Sequence, residues 1–364
     1  MKIAYVANIR FPTEKAHGVQ IAKACEALTK AGEDVTLIVP ARRTHITIPA
    51  LAYYGIQTSF VVRTLFCIDW VALGKLGFWI ESLTFALATA RYLRANPQTV
   101  VYGRDELVLS ILQRFGVQNI FWESHDGTWN SASRAMAQHA RGIVVVSQGL
   151  KDFYTKKGIP AETICAVPNG IDLADFAYPE TKEVSRTRLG LPLNKKIALY
   201  IGRLDGWKGT DTLLQASNLL PQDFAVALIG GEQKQIITLQ KKYPNAIFLG
   251  YRPYSELSNN QAAADVLVVP NTAKDKVSVS FTSPLKLIAH MASHRPIVAS
   301  DLPSIRELVD DTSAVLVAPD NAEALVQGMQ SALQNQTIAE QAYARVSTLD
   351  WQLRAKKILN FIQR

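Results

Sequence analysis

The sequence predicts an α/β protein of two domains, each built on a parallel sheet. Three observations carry that expectation. The chain opens on a strand, a helix and a second strand, residues 1–9, 20–31 and 34–39, and a strand–helix–strand unit builds parallel sheets. The second half repeats the alternation, with short apolar runs at 197–201, 224–229, 246–249 and 266–269 and helical segments between them. With 364 residues the chain is long for one core and comfortable for two of roughly 170 residues each.

Composition narrows the class. Apolar residues make up 48% and charged residues 19%, which describes a compact globular chain with little disorder. Cys25, Cys67 and Cys165 are odd in number and widely spaced. They argue against a disulfide framework or a zinc site and for a reducing compartment. The N-terminus begins directly on a strand, without a charged-then-apolar leader, so a cytoplasmic location is expected. The most apolar segment, 65–93, is interrupted by Asp69, Lys75, Glu81 and Arg91, which leaves no run of the ~20 residues that a membrane span needs.

Net charge is +8, and residues 1–165 hold 18 Lys and Arg against 12 Asp and Glu. That surplus either solvates the first half or draws it peripherally to an anionic membrane face or a nucleotide-bearing substrate. No basic run is interleaved with aromatics, so nucleic acid is not an expected partner.

In the first half, the helix over 20–31 ends at Gly32, and the preceding loop, 10–19, lacks the GxGxxG of a dinucleotide fold. Gly18 in that loop either lets the backbone approach a ligand or eases the turn into the helix. An irregular aromatic stretch around Tyr53 and Tyr54 leads to a helical segment over 65–93. Trp70, Phe78 and Trp79 are expected in its core, the alternative being an apolar shelf for a lipid tail. A strand over 99–103 ends at Arg104-Asp105, and another over 119–122 ends in Glu123-Ser124-His125-Asp126. A histidine just past a strand's carboxyl end stands where open α/β sheets bind ligands, although a lone His is often structural. A strand over 142–147 and a helix over 148–157 precede the turn-rich Pro168-Asn169-Gly170-Ile171-Asp172, and the domain boundary is placed near 168.

In the second half, the strand over 197–201 runs into Gly202-Arg203-Leu204-Asp205-Gly206-Trp207-Lys208-Gly209. Two cations on a flexible backbone at a strand end suit a diphosphate. Gly230-Gly231 and Gly250-Tyr251-Arg252 fall at strand ends on the same side. The stretch 281–309 reads as a Thr-Ser-Pro turn, a helix with apolar residues at Leu285, Leu287, Ile288, Met291 and Ala292, a break at His294-Arg295-Pro296, and a strand. Such a loop-to-helix junction is either a phosphate site or an ordinary αβ unit. Helical segments over 321–334 and 339–363 complete the chain.

Taken together, these motifs resemble the GT4 family (group 1) of retaining glycosyltransferases, of the GT-B fold. The family's G-R-L-x-x-x-K-G loop stands here at 202–209, and its P-x-K-x-x-E-x-M-A helix at Pro284, Lys286, Ala289, Met291 and Ala292. Its G-G-V-Q loop is His17-Gly18-Val19-Gln20, its E-x-H-D stands at 123–126, and its P-N-G-I-D at 168–172. The resemblance implies two Rossmann-like domains whose parallel sheets face a central cleft: 1–167 on the acceptor side, 168–345 for the donor, and 346–364 as a helix crossing back to the first domain.

The activity so implied is transfer of a sugar, with retention of configuration, from a nucleotide-sugar donor to a glycan or lipid-linked acceptor in cell-surface polysaccharide or glycolipid synthesis. By resemblance, His125, Arg203 and Lys208 serve catalysis. Gly18, Gly202, Arg203, Lys208, Tyr251, Arg252, Ser283, Pro284, Leu285, Lys286 and Ala289 meet the donor. The sequence has no Asp-x-Asp, so neither a metal nor another cofactor is expected.

Two departures stand out. The family's paired glutamates fall at Phe281 and Ala289, and neither is acidic. If residue 289 faces the ribose, Ala cannot accept a hydrogen bond from it. A catalytically silent nucleotide-sugar-binding protein and a GT-B nucleotide-sugar 2-epimerase are the alternatives this leaves open.

Overall fold

The computed structural model describes every residue except Gln98 and Gln336. It divides into two compact units, Met1–Pro168 with Trp351–Arg364, and Asn169–Asp350.

The first unit holds seven strands: β1 (Lys2–Val6), β2 (Asp34–Pro40), β3 (Val61–Leu65), β4 (Val100–Gly103), β5 (Ile120–Ser124), β6 (Gly142–Val145) and β7 (Ile164–Ala166). They form one parallel sheet in the order β3-β2-β1-β4-β5-β6-β7. Strands β1, β5 and β6 are near-continuous runs of buried residues, as a sheet covered on both faces requires. The edge strand β3 is half exposed along its length, which is why no apolar run marked it in the sequence.

Helix boundaries shift with tertiary context. The first helix is Ala16–Lys30 and begins upstream of Gln20, so Gly18 lies in its first turn and not in a loop. A Cβ on Gly18 would stand 2.3 Å from the Tyr54 hydroxyl and 2.7 Å from Thr13 Cγ2. Tyr54 is itself fixed there, accepting from the Thr13 amide at 2.7 Å and donating to its carbonyl at 2.9 Å. The helix expected over 65–93 is Lys75–Arg94, preceded by β3 and a 3-10 turn at Val71–Leu73. One face of it buries Gly77, Glu81, Phe85 and Leu93, while Leu76, Trp79, Leu83 and Leu87 are exposed. Trp70 and Trp79 are therefore surface residues, contrary to the core expected for them.

The segment expected to run helically over 339–363 breaks into Thr337–Val346 and Trp351–Ile362, with Ser347–Leu349 and Asp350 between. The second helix belongs to the first unit and buries Trp351, Arg354, Ala355, Ile358, Leu359 and Ile362, one stripe at helical spacing. Its Phe361 ring stands 6.1 Å from that of Phe121 and occupies the space that a side chain at Gly142 would need.

The second unit has six parallel strands: β8 (Lys196–Ile201), β9 (Phe224–Ile229), β10 (Ala246–Gly250), β11 (Val266–Val269), β12 (Ile297–Ser300) and β13 (Val315–Val317), in the order β10-β9-β8-β11-β12-β13. Apolar clusters pack on both faces, one around Tyr200, Leu213 and Met329, another around Leu199, Ala227 and Leu267.

In each unit the strand order reverses once, between β1 and β4 and between β8 and β11. Crossovers on the two sides of a reversal cover opposite faces, which leaves a crevice at the strands' carboxyl ends. Because Tyr54 is pinned against the helix, replacing Gly18 by Ala should overpack that contact and lower the unfolding free energy by about 1–3 kcal/mol. An unchanged midpoint in urea would show that Tyr54 yields without cost.

Candidate functional site

In the second unit the loop after β8 meets the loop after β11 at the reversal. Gly209, at φ +69, has the Pro270 carbonyl 1.7 Å from where its Cβ would be, so only glycine lets the two loops close. The Thr272 amide donates to the Trp207 carbonyl at 3.4 Å, joining the same two loops. Thr272 in turn donates to Asp320 Oδ1 at 2.6 Å. Beneath the loop, the Tyr200 hydroxyl donates to the Arg203 carbonyl at 2.6 Å, and Gln235 Nε2 donates to that of Leu204 at 2.6 Å. The Gly202–Gly209 loop is thus held from below, while the Arg203 side chain is largely exposed and pairs with Asp205 at 2.7 Å.

The lysines supply the site's charge. Lys286 Nζ is buried over the Tyr200 ring, 4.6 Å from its centroid, and finds no hydrogen-bond partner among the described residues. Burial and the neighbouring Lys208 push its pKa well below the ordinary lysine value, against a weaker pull from Asp205. Lys208 Nζ lies 3.3 Å from the Trp207 ring centroid, and burial lowers its pKa to about 8. Two desolvated ammonium groups, with one partly exposed aspartate for company, form an environment that an anion relieves.

The other donor-side residues are distributed unequally. Ser283 is buried, its Oγ accepting from the Asn169 amide at 3.1 Å and its carbonyl from Asn169 Nδ2 at 2.7 Å. Pro284 is buried too, and its carbonyl takes the first amides of the helix Leu285–Met291, from Leu287 and Ile288. A five-residue π-helical turn, Val277–Phe281, precedes this junction. Tyr251 and Arg252 follow β10, two strands from β8 along the same carboxyl edge.

Ala289, expected to face a ribose, is placed on a buried face of its helix. It is 2% exposed and packs in an apolar cluster with Ile288, Met291, Ala299 and Ile305. The helix turns that face into the core, so the side chain has almost no surface to present. His290, next to it, is buried, shares a 2.8 Å hydrogen bond between Nδ1 and Gln261 Nε2, and is held neutral, its pKa lowered to about 3 by burial and by Lys286.

In the first unit a cavity of about 170 Å³ opens at the reversal between β1 and β4. It is lined by residues after β1 (Ala7, Asn8), after β4 (Arg104, Asp105) and after β5 (His125, Asp126), together with His17 of the first helix. His125 Nε2 lies 2.8 Å from Glu123 Oε1. Glu123 is buried, and Arg354 Nη2 donates to the same oxygen at 2.6 Å. Burial is the largest influence on His125, and with Arg104 it lowers the pKa to about 4. Glu123 stays ionised: burial opposes its charge, but Arg354 and His125 together hold its pKa well below the usual range. The imidazole is therefore neutral near pH 7.

The structure thus gathers Gly202, Arg203, Lys208 and Lys286 around one crevice and His125 in another. Sequence reading missed Asn8, which donates to Glu81 Oε2 at 3.1 Å, and Arg354. The strand-end position after β1 could have flagged the first. Nothing local flags the second, which reaches Glu123 across 231 positions of sequence.

Comparisons with known proteins find matches to both units of the chain. A family model described as glycosyltransferase family 4 matches residues 18–175, and one described as glycosyl transferases group 1 matches residues 195–335. A putative teichuronic acid biosynthesis glycosyltransferase of Bacillus subtilis is 30% identical over 212 residues, 58% of this chain and 51% of that protein. A putative colanic acid biosynthesis glycosyl transferase of Escherichia coli is 27% identical over 244 residues, 63% of this chain and 59% of its own length. The chain thus spans little more than half the length of these relatives.

Among solved structures, sucrose-phosphate synthase from Thermosynechococcus elongatus matches with a TM-score of 0.80 at 20% identity, covering 100% of this chain and 98% of that one. Anabaena HepE, in complex with UDP-glucose, matches at 0.79 and 18%, covering 100% and 99%. At these identities the likeness establishes the fold.

Since Ala289 sits in an apolar cluster, Ala289→Glu should bury a carboxylate and destabilise the chain by about 3 kcal/mol or more. Denaturant unfolding tests this, and an unchanged midpoint would mean that a side chain at 289 reaches solvent or Lys286.

Proposed function

The chain belongs to the family 4, group 1 glycosyltransferases, and from that premise we propose that it transfers a sugar from a nucleotide-sugar donor to a glycan or lipid-linked acceptor. The observation that carries this reading is the buried, unpartnered ammonium of Lys286 beside Lys208, at the reversal of the second sheet. A nucleoside diphosphate is the anion that answers two such charges.

The chemistry follows from charge. As the glycosidic bond breaks, negative charge grows on the leaving diphosphate, and Lys208, Lys286 and Arg203 stabilise it without an added metal. Removing one preorganised donor of this kind costs about 10²–10³ in rate. The departing phosphate oxygen takes the acceptor's proton, which is compatible with retention of configuration. His125, neutral and held by Glu123, offers a hydrogen bond to the transferred sugar.

The pH dependence of donor binding has a definite sign. An anion binds the ammonium form, so affinity should fall as pH rises through about 8, where Lys208 loses its proton. Calorimetric titration of nucleoside diphosphates in EDTA, from pH 7 to 9, measures this. Lys208→Arg should flatten the profile, and Lys286→Met should weaken binding at least about tenfold, the loss of one charge-assisted bond. Equal affinities in the wild type and both variants would sink the diphosphate assignment.

The acceptor end is proposed to meet a membrane surface. Among the described residues no helix is long and apolar enough to cross one. Yet Trp70, Leu73, Leu76, Trp79, Leu83 and Leu87 form an exposed apolar stripe, with Leu76 72% exposed. Gly77 seats the helix against the Trp70 carbonyl, which would lie 1.7 Å from a Cβ there. The sequence pointed to electrostatic attraction, which salt screens. The exposed aromatic and aliphatic side chains add an apolar term that salt does not remove. Sedimentation with anionic vesicles should therefore show binding that weakens but persists at high salt, and Trp79→Ser with Leu76→Ser should abolish the part that persists. Binding that vanishes entirely in salt would leave charge as its only source.

A further inference from the structure

The C-terminal helix carries one charged residue into the interior of the first unit. Arg354 is 4% exposed and lies on the buried stripe of that helix. Its guanidinium makes hydrogen bonds through two of its nitrogens, Nη2 donating to Glu123 Oε1 at 2.6 Å and Nε to the Pro168 carbonyl at 3.1 Å, and its Cζ lies 5.6 Å from the Trp351 ring centroid. Glu123 Oε1 also faces His125 Nε2 at 2.8 Å, and the Tyr5 hydroxyl donates to Oε2 at 3.3 Å.

We propose that Arg354 is a positioning residue for His125: its charge keeps Glu123 a carboxylate, and the carboxylate fixes the imidazole as the Nε2–H tautomer. Nδ1 then carries the lone pair. A buried carboxylate without a counter-charge protonates, and a protonated Glu123 would donate to Nε2 and drive the proton of the neutral ring to Nδ1. Among the described residues, other titratable neighbours are Arg104, which lies near both groups, Tyr102 and Cys25, which are buried beside Glu123, and His17, Asp105, Glu106 and Asp126, which line the same cavity. None of them is hydrogen-bonded to Glu123 with the short geometry of Arg354. The importance of the tautomer rests on the reading that His125 meets the transferred sugar; the tautomer itself does not.

The test separates the two. In full-length protein labelled with 15N-histidine, the His125 resonances are assigned by their loss in His125→Gln, and the nitrogen shifts at pH 7 report the tautomer. The wild type and Arg354→Lys should show Nε2–H alone, whereas Arg354→Met should show Nδ1–H or a mixture. In Arg354→Met, kcat should fall by about 10- to 100-fold, the usual cost of losing a group that orients a histidine, with KM for the donor changed less than about threefold. An unchanged His125 tautomer in Arg354→Met would overturn the proposal. If that variant does not fold, Arg354→Lys decides: a fixed Nε2–H tautomer supports the role of charge, and a mixed tautomer overturns it. A shifted tautomer with unchanged kcat would uphold the positioning role and refute the place of His125 at the sugar.

Discussion

Both candidate sites in this chain depend on one constraint of parallel sheets: where the strand order reverses, no crossover covers the carboxyl ends. Both units have such a point, β1 against β4 and β8 against β11. The loops that emerge there are held close by residues with no room to spare. Gly209 fits under the Pro270 carbonyl because it has no side chain, and the Gly202–Gly209 loop rests on the Tyr200 hydroxyl and Gln235.

Onto these rigid edges the chain places groups that are costly to bury. Lys286 lies over an aromatic ring with its ammonium out of water, and Lys208 stands near enough to depress it further. A stability-driven fold has no use for that arrangement, since a hydrophobic residue of similar size would pack there at less cost. In the proposed reading an anion would recover that cost, because the desolvation that destabilises the lysines strengthens their attraction for a negative charge. At Glu123 the first unit handles buried charge in the opposite way, by pairing it. Glu123 is surrounded by Arg354, His125 and Tyr5, which keep it a carboxylate, while burial and Arg104 keep the imidazole beside it neutral.

The sequence by itself determined the fold class, because buried parallel strands must be near-continuous apolar runs and helices between them must show an apolar stripe. It also carried the cation-bearing loop 202–209 and the helix after Pro284, whose proposed diphosphate site is written in adjacent residues. Tertiary structure decided the rest, and in each case the reason is a contact between distant segments. Gly18 reads as a breaker until Tyr54 is seen to fill the space above it. Trp70 and Trp79 read as core until the helix Lys75–Arg94 turns that stripe outward, and only packing shows how deeply Ala289 is buried. Nothing local marks Arg354, and only the packing of its helix within the first unit brings it to Glu123. Local pattern specifies periodicity and the chemistry of a loop. Which face is buried, and which charges meet, is settled by what packs against it.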